Sequence, residues 1–288
     1  MVLAALTVIG SDSVSQVHLD FSAACPDGFS LAFTQSKGFS VLFDGRSATS
    51  GSTTYSVGSY KSPHLHTADL CNLTPGKRYD CSVSSFQGSF IASPGPSDAN
   101  TPTVLEVAGD FDFADDSLRG LTKPYQNMAT QAILVARDWS YANGQHPQWD
   151  KWFDLQSPTF STLPVTGING NHETVIGDES YKAYLRRVPG PISEDSKAAL
   201  RTCCSIEIGL VHITFLDDYR TEPIYKNKVD STKGVVYVTT GAGGRGHAGS
   251  RISKVPNWSA FAEGDMQVLW FGNDDLNKPI DSFTIIPK

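Results

Sequence analysis

Long apolar runs are absent from this sequence of 288 residues. Residues 1–10 (MVLAALTVIG) contain eight apolar positions and no basic residue. That is too short to span a bilayer and short for the core of a signal peptide. An ordinary first strand and a trimmed signal peptide therefore both stay open, and we expect no membrane partner.

Basic stripes are also lacking. The chain has 23 basic and 30 acidic residues, a net charge of −7, and no run of Lys and Arg. Such a balance argues against nucleic-acid or anionic-membrane partners. With 40% hydrophobic residues, a chain of this length can bury one large core or two ordinary ones. We expect two domains and no extensive disorder.

Cysteine is scarce, at five residues, and no CxxC pair predicts structural zinc. Cys71 and Cys81 flank a turn, so a disulfide between them is sterically compatible with a strand pair. Cys203 and Cys204 are adjacent and would point to opposite faces of a strand. The Asn-x-Ser/Thr sequences at Asn72 and Asn257 are glycosylation candidates. Together these features lead us to expect a secreted, extracellular glycoprotein.

Short alternating runs fill the first third of the chain. Seven of them, bounded by turn residues, lie between about Val17 and Pro94 and predict an antiparallel β-sandwich. Residues 73–79 (LTPGKRY) place a tyrosine after a turn near a strand start, as in the tyrosine corner of immunoglobulin-like sandwiches. The segment therefore resembles a fibronectin type III-like domain, assigned to residues 12–95. The Pro- and Ser-rich residues 96–103 are the expected linker.

Beyond the linker, residues 104–288, strand-like runs alternate with helix-compatible stretches, which predicts an α/β arrangement. Asp110, Asp138 and Asn171 each follow an apolar strand candidate. Their separations of 28 (138 − 110) and 33 (171 − 138) residues fit parallel strands joined by crossovers, whose carboxyl ends form the ligand-binding rim. With Tyr141, these side chains are hard donors suited to Fe(III), Mn, Mg or Zn.

The same residues have simpler explanations. Aspartate after a strand is often a turn residue or a helix N-cap. The block NGNHE, residues 169–173, is also a common turn composition, although Gly170 would let the turn expose Asn171 and His172. A metal site is favoured because three such blocks occur in order, at the spacing expected of parallel strands joined by crossovers.

Segments along nearly the whole chain resemble the purple acid phosphatases of the metallophosphoesterase superfamily, in their plant-type two-domain form. The segments that carry the resemblance are SQVHLDF, LTPGKRYDC, RDWSYANGQHPQWDKW, GINGNHE, YKAYLRRVPGP, CSIEIGLVHITFLDDY, PIYKNKVDSTKGVVYVTTGAGG, LWFGNDD and DSFTI. The resemblance implies a layered α/β metallophosphoesterase-like sandwich after the N-terminal domain, and hydrolysis of phosphate monoesters at a dinuclear metal centre.

The resemblance also implies roles for individual residues. Asp138 would bridge the two metals, with Asp110 and Tyr141 on Fe(III) and Asn171 on a divalent ion, Fe, Zn or Mn. His172 would contact the phosphate or the leaving group. Glu173 would orient its neighbours through hydrogen bonds, outside the metal shell.

Three histidine ligands of that family have no counterpart in this chain. The stretch expected to carry them is missing near residues 219–224, and a second shortening lies near 263–269, so the α/β domain reads as truncated in its second half. The remaining histidines are poor substitutes: His64 and His66 lie in the sandwich, His212 lies inside a strand, and His247 lies in a Gly-rich segment.

Two glycines expected beside the metal ligands are replaced by Asp112 and Arg137, which would crowd the site or repel a cation. We therefore expect little or no phosphatase turnover. A shortening caused by a gene-model error or by splicing, a secreted pseudoenzyme that acts as a binding module, and an adhesive sandwich with an inert tail all stay open.

Overall fold

The computed structural model describes residues 13–113, 129–174 and 176–216. Several expectations fall outside these ranges: the two deletions, His247, the Asn257 glycosylation site and the closing strands. Within the described ranges, no helix is long and apolar enough to cross a membrane.

The N-terminal part consists of short antiparallel strands. In chain order these are β1 Ser15–Phe21, β2 Phe29–Thr34, β3 Ser40–Phe43, β4 Arg46–Thr49, β5 Gly51–Thr53, β6 Ser56–Val57, β7 Tyr60–Lys61, β8 Leu65–Leu70, β9 Arg78–Val83 and β10 Phe86–Ile91. They form two four-stranded sheets, ordered β1-β2-β8-β5 and β10-β9-β3-β4, and a small β6-β7 hairpin. The predicted antiparallel strands are present, and buried side chains of both sheets share one core.

The tyrosine predicted at the sandwich corner is in place. Tyr79 is 2% exposed, and its hydroxyl accepts a 2.7 Å hydrogen bond from the backbone N–H of Thr74. This bond ties the turn before β9 to the start of the strand, as the sequence pattern predicted.

The proposed Cys71–Cys81 pairing is wrong. The disulfide joins Cys25 to Cys71, whose Cα atoms are 5.4 Å apart, and Cys81 is a buried free thiol. The cause is strand pairing: β2 pairs with β8, which brings the loop before β2 beside the end of β8, whereas Cys81 lies in β9 of the other sheet. Cys71 and Cys81 are therefore close in sequence, but β8, which Cys71 follows, and β9, which contains Cys81, belong to different sheets.

The chain then builds a parallel sheet from β11 Leu105–Ala108, β12 Ala132–Val135 and β13 Val165–Gly167, in that order. Ala108 pairs with Val135, and Val135 with Gly167, so the three strands end side by side. Helix α1, Pro147–Phe160, connects β12 to β13 and begins with proline, whose missing N–H costs nothing in a first helical turn. The predicted parallel strands and this crossover helix are confirmed.

The apolar stripe of α1 explains its packing. Trp149, Trp152, Phe153 and Phe160 are at most 1% exposed, at spacings that place them along one side of a helix. The helix packs against β1, and Leu19 of β1 forms a bridge with Pro164 just before β13. The N-terminal sheet is therefore in direct contact with the α/β part, and residues 92–104 between them contain no helix or strand.

Short elements complete the described part: helices α2 Asn171–Thr174, α3 Tyr184–Arg187 and α4 Glu194–Ala198, and the strands β14 Cys204–Ile208 and β15 Val211–Phe215. The last two form an antiparallel hairpin. Helix α3 does not extend further toward the N-terminus than Ser180 and Tyr181 allow, because these residues have φ of 49° and 62° and cannot belong to a right-handed helix.

Candidate metal centre

The candidate centre lies where the strands of the parallel sheet end. Backbone N–H groups of residues 110–112 donate to the carbonyls of residues 137–139 at 3.0–3.1 Å. The loops after β11 and β12 thus stay paired beyond the strands. This pairing is what sets Asp110 and Asp138 beside each other.

Asp110 has one satisfied and one unsatisfied oxygen. Its Oδ1 accepts a 2.5 Å hydrogen bond from the Tyr141 hydroxyl, whereas Oδ2 is buried with no hydrogen-bond donor. Burial, helped by the negative charge of Asp138, raises the pKa of Asp110 to about 6. A buried carboxylate oxygen without a donor beside a second carboxylate is a position that a cation would stabilise.

Asp138 lies at the centre of the group. It is 1% exposed, its Oδ1 accepts the backbone N–H of His172 at 3.1 Å, and its Oδ2 accepts Nε of Arg137 at 3.0 Å. The guanidinium of Arg137 also donates, through Nη2, to Oδ1 of Asn171. One arginine thus joins the ends of β12 and β13 through two side chains expected to bind metal.

The close approach of the loops depends on Gly170. A Cβ atom at this position would lie 2.0 Å from Oδ1 of Asp138, well inside contact distance. The glycine in NGNHE is therefore required by space, because the loop after β13 lies directly on the Asp138 carboxylate.

Glu173 connects the loop after β12 to the loop after β13 through hydrogen bonds. Its carboxylate is 1% exposed and accepts the backbone N–H groups of Trp139 and Gly170, each at 2.9 Å. Burial, followed by the charge of Asp138, raises the pKa of Glu173 to about 8. Both of its oxygens are engaged with backbone, which is the geometry expected of a residue that positions its neighbours.

His172 is placed by three neighbours. Besides its backbone bond to Asp138, its Nδ1 lies 2.5 Å from Oδ1 of Asn143, and its ring lies 3.8 Å from the ring of Tyr141. Because the facing amide oxygen is an acceptor, Nδ1 is the ring nitrogen that donates in this contact.

Left-handed backbone is concentrated here. Five non-glycine residues have φ between 49° and 56°: Asp110, Asp112, Asp138, Tyr141 and Asn143. This conformation costs roughly 1–2 kcal/mol for a residue with a side chain. At Asp112 it explains why glycine is the residue expected there. Clustered strain of this kind is typical of sites where function fixes the geometry.

Sequence reasoning missed the role of Asn143. This residue and Gly144 form a left-handed turn, with φ of 52° and 83°, that packs on Gly177, where an added Cβ would lie 1.9 Å from the carbonyl oxygen of Asn143. The Asn-Gly dipeptide was the available signal, because it is a strong predictor of such turns.

His66 and His212 lie in strands, as the sequence predicted. His66 is 2% exposed, stacks on Phe33 and has Nε2 3.0 Å from the carbonyl oxygen of Gln35. His212 forms an exposed pair with Glu207 across the β14-β15 hairpin. Within the described ranges, no three His, Cys, Asp or Glu side chains come together as metal ligands.

Comparison with known proteins identifies the type of chain. It is 28% identical over 172 residues to purple acid phosphatase 21 of Arabidopsis thaliana, covering 58% of this chain and 38% of that protein. It is 26% identical to purple acid phosphatase 22 of the same plant, covering 62% and 41%, and 28% identical to probable inactive purple acid phosphatase 1, covering 45% and 25%. No family model matches the chain.

Comparison with solved structures gives the same likeness to purple acid phosphatases. The purple acid phosphatase isolated from yellow lupin (Lupinus luteus) seeds superposes with a TM-score of 0.61 at 17% identity, covering 72% of this chain and 45% of that one. The chain is purple acid phosphatase-like. It spans less than half the length of the relatives it matches, and its sheet-rich fold is metallophosphoesterase-like.

The residues fit the two metal positions of a purple acid phosphatase-like centre unequally. Asp110, Asp138 and Tyr141 fit the ferric position, because the Tyr141 phenol bonds to Oδ1 of Asp110, the charge of Asp138 acts on Asp110, and Oδ2 of Asp110 has no donor. The divalent position does not fit, because Asp138 and Asn171 both accept hydrogen bonds from Arg137.

Proposed function

We propose that this chain is an acid phosphatase-like metallohydrolase of phosphate monoesters with weak turnover. The proposal rests on one observation: Asp110 interacts with Asp138 and with the phenol of Tyr141 past the ends of parallel strands, and its Oδ2 is buried without a donor. Its support is the likeness to purple acid phosphatases.

The proposed ligands are Asp110, Asp138 and Tyr141 for Fe(III), with Asn171 as the donor that the resemblance assigns to a divalent Fe, Zn or Mn ion. A bound cation of this kind acts as a Lewis acid on a phosphoryl oxygen. His172 is proposed to contact the phosphate or the leaving group, since it lies against both Asp138 and Tyr141. Glu173 is proposed to position the two loops.

Secretion and a fibronectin type III-like N-terminal domain, residues 12–95, belong to the same proposal. A Cys25–Cys71 disulfide favours an oxidising compartment. Asn72 is exposed beside that disulfide, so a glycan could be attached there. The two sheets and the tyrosine corner support the domain assignment, with residues 96–103 as the linker and 104–288 as the phosphatase-like domain.

A second candidate is a secreted pseudoenzyme that binds phosphate esters without hydrolysis. The contact of Arg137 with both proposed ligands of the divalent ion favours it. One of the relatives is itself named probable inactive purple acid phosphatase 1.

Elemental analysis combined with a p-nitrophenyl phosphate assay at acid pH separates the two. We expect about one iron per chain and weak hydrolysis that Asp138→Asn abolishes. Iron and phosphate binding with no hydrolysis would favour the pseudoenzyme. A purified chain that binds neither iron nor phosphate would contradict both candidates.

A further inference from the structure

Arg137 occupies a position that is unusual for a cationic side chain. Its Nε donates to Oδ2 of Asp138 at 3.0 Å and its Nη2 donates to Oδ1 of Asn171. These two acceptors come from the ends of adjacent parallel strands, and both are assigned by resemblance to the divalent ion. The guanidinium therefore makes the two protein contacts that this ion would make.

Burial explains why a positive charge is needed there. The Asp138 side chain is 2% exposed, and the Arg137 side chain is 32% exposed. An ionised carboxylate that is withdrawn from water is strongly destabilised unless a cation or several hydrogen-bond donors face it. Arg137 supplies both, because its fork of N–H groups carries the charge.

The guanidinium also excludes a competing ion. Arginine keeps its proton at any pH that the protein survives, so a metal ion cannot take the site by deprotonating it. A divalent ion entering between Asp138 and Asn171 would meet a positive charge within a few ångströms, which is strongly repulsive in a low-dielectric site. Only Arg137 moving away would admit the ion.

We infer that Arg137 stands in for the divalent cation, so that this chain has one metal position, at Asp110, Asp138 and Tyr141, instead of two. The inference rests on the proposed metal centre for the meaning of the site, but its contacts are those of the chain itself. Arg137 is then a positioning residue, which holds Asp138 and Asn171 in place without a second metal ion.

The test compares full-length wild type with Arg137→Gln and Arg137→Lys, using zinc as the probe. Zinc bound per chain is measured by equilibrium dialysis with elemental analysis, and melting temperature is measured with and without zinc. Arg201→Gln is the matched control, because Arg201 is an exposed arginine away from the centre. The double variant Arg137→Gln with Asn171→Ala removes the second acceptor.

We expect Arg137→Gln to bind one more zinc ion than wild type, because removing the guanidinium should raise the zinc affinity between Asp138 and Asn171 at least about tenfold, in line with the 10-fold to 100-fold changes seen around metal sites. Zinc should raise its melting temperature by more than that of wild type. Adding Asn171→Ala should remove both gains, and Arg201→Gln should match wild type.

Arg137→Lys guards against a glutamine variant that does not fold. It keeps the charge beside Asp138, so it should fold and bind no additional zinc. The inference is overturned if wild type binds two ions, if Arg137→Gln gains none, or if Arg137→Lys gains as much zinc as Arg137→Gln. Two ions with hydrolysis in wild type would overturn this inference while leaving the proposed function intact. If the zinc gain of Arg137→Gln depends on Asn171 but the chain binds no iron, the proposed function would be contradicted while the role of Arg137 would stand.

Discussion

At the scale of single residues, the candidate centre depends as much on a missing side chain as on those present. Gly170 lets the loop after β13 touch Asp138, and Glu173 binds that loop through the N–H of Gly170 at 2.9 Å. A methyl group at 170 would push apart two loops that the site requires in contact.

Gly170→Ala should therefore destabilise the chain by about 1–3 kcal/mol, as overpacking of a dense site does. It should also lower iron binding, because Asp138 must move. Gly51→Ala is the control: neither glycine has a positive φ, but an added Cβ at 51 would come no nearer than 3.9 Å to another atom. Urea denaturation and iron content provide the measurements, and equal effects at the two positions would contradict this account.

The residue scale also shows what sequence could predict. The placement of Asp110, Asp138 and Asn171 after strands follows from apolar runs and spacing, and the structure confirms their strands. The contact of Arg137 with Asn171 was not predictable, because it joins residues 34 apart through a side-chain rotamer that no local pattern encodes. The sequence only indicated an unfavourable charge there.

At the scale of elements, one buried arginine links several parts of the junction between the N-terminal sheet and the α/β part. Arg187 of α3 donates to Asp150 of α1 at 2.7 Å, to Gln16 of β1 at 2.9 Å, and to the hydroxyls of Tyr60 and Tyr55 at 2.7 and 3.1 Å. Four elements or loops distant in sequence thus meet on one guanidinium. Sequence patterns predicted these elements but not the residue that joins them.

Arg187→Met should cost about 3–5 kcal/mol of unfolding free energy, because it leaves Asp150 and Gln16 without their buried partner. The lower end is expected, since the Asp150 side chain is 26% exposed. Lys77→Met tests whether burial is the cause: the Lys77–Asp44 pair has the same 2.7 Å separation but is 46% and 44% exposed. That exposed variant should unfold at nearly the wild-type urea concentration. Similar losses in both variants would rule out burial as the source.

At the scale of the whole molecule, the described part assembles the strands and loops that carry Asp110, Asp138, Tyr141 and Asn171. Alternating runs and strand-end polar residues are local signals, and so the sequence predicted the strands of this part. Contacts between segments that are distant in sequence, such as the disulfide between Cys25 and Cys71, were not predicted, because strand order decides them.

A second property of the whole molecule is its dependence on pH. Asp20 of β1 is 0% exposed, and its oxygens accept the N–H groups of Phe21 at 2.7 Å and Gly190 at 2.9 Å. Burial raises its pKa from 3.8 to about 7. His18 on the same strand shows the opposite shift, because burial lowers its pKa from 6.5 to about 4.

The direction in which each group changes folding stability with pH follows from proton linkage. Between about pH 4 and 7 the folded chain holds a proton on Asp20 that the unfolded chain has lost, so this contribution to stability is full in acid and disappears as pH rises. At about 1.4 kcal/mol per pKa unit, the rise of about three units corresponds to on the order of 4 kcal/mol. His18 acts in reverse over the same range: its contribution is present above pH 6.5 and is lost as pH falls toward 4.

Asp20→Asn removes the pH-dependent contribution of Asp20 and leaves that of His18. Relative to wild type, the variant should therefore lose most stability near pH 4 and progressively less toward pH 7, when unfolding free energies are measured by urea denaturation at each pH. His18→Gln should change the difference from wild type in the opposite direction, because it removes the contribution that grows as pH rises from 4 to 6.5. A difference between wild type and Asp20→Asn that stays constant from pH 4 to 7 would mean that Asp20 keeps its ordinary pKa in the folded chain. The junction between β1 and the loop at Gly190 would then not favour the protonated form, and acid would not stabilise this part of the molecule.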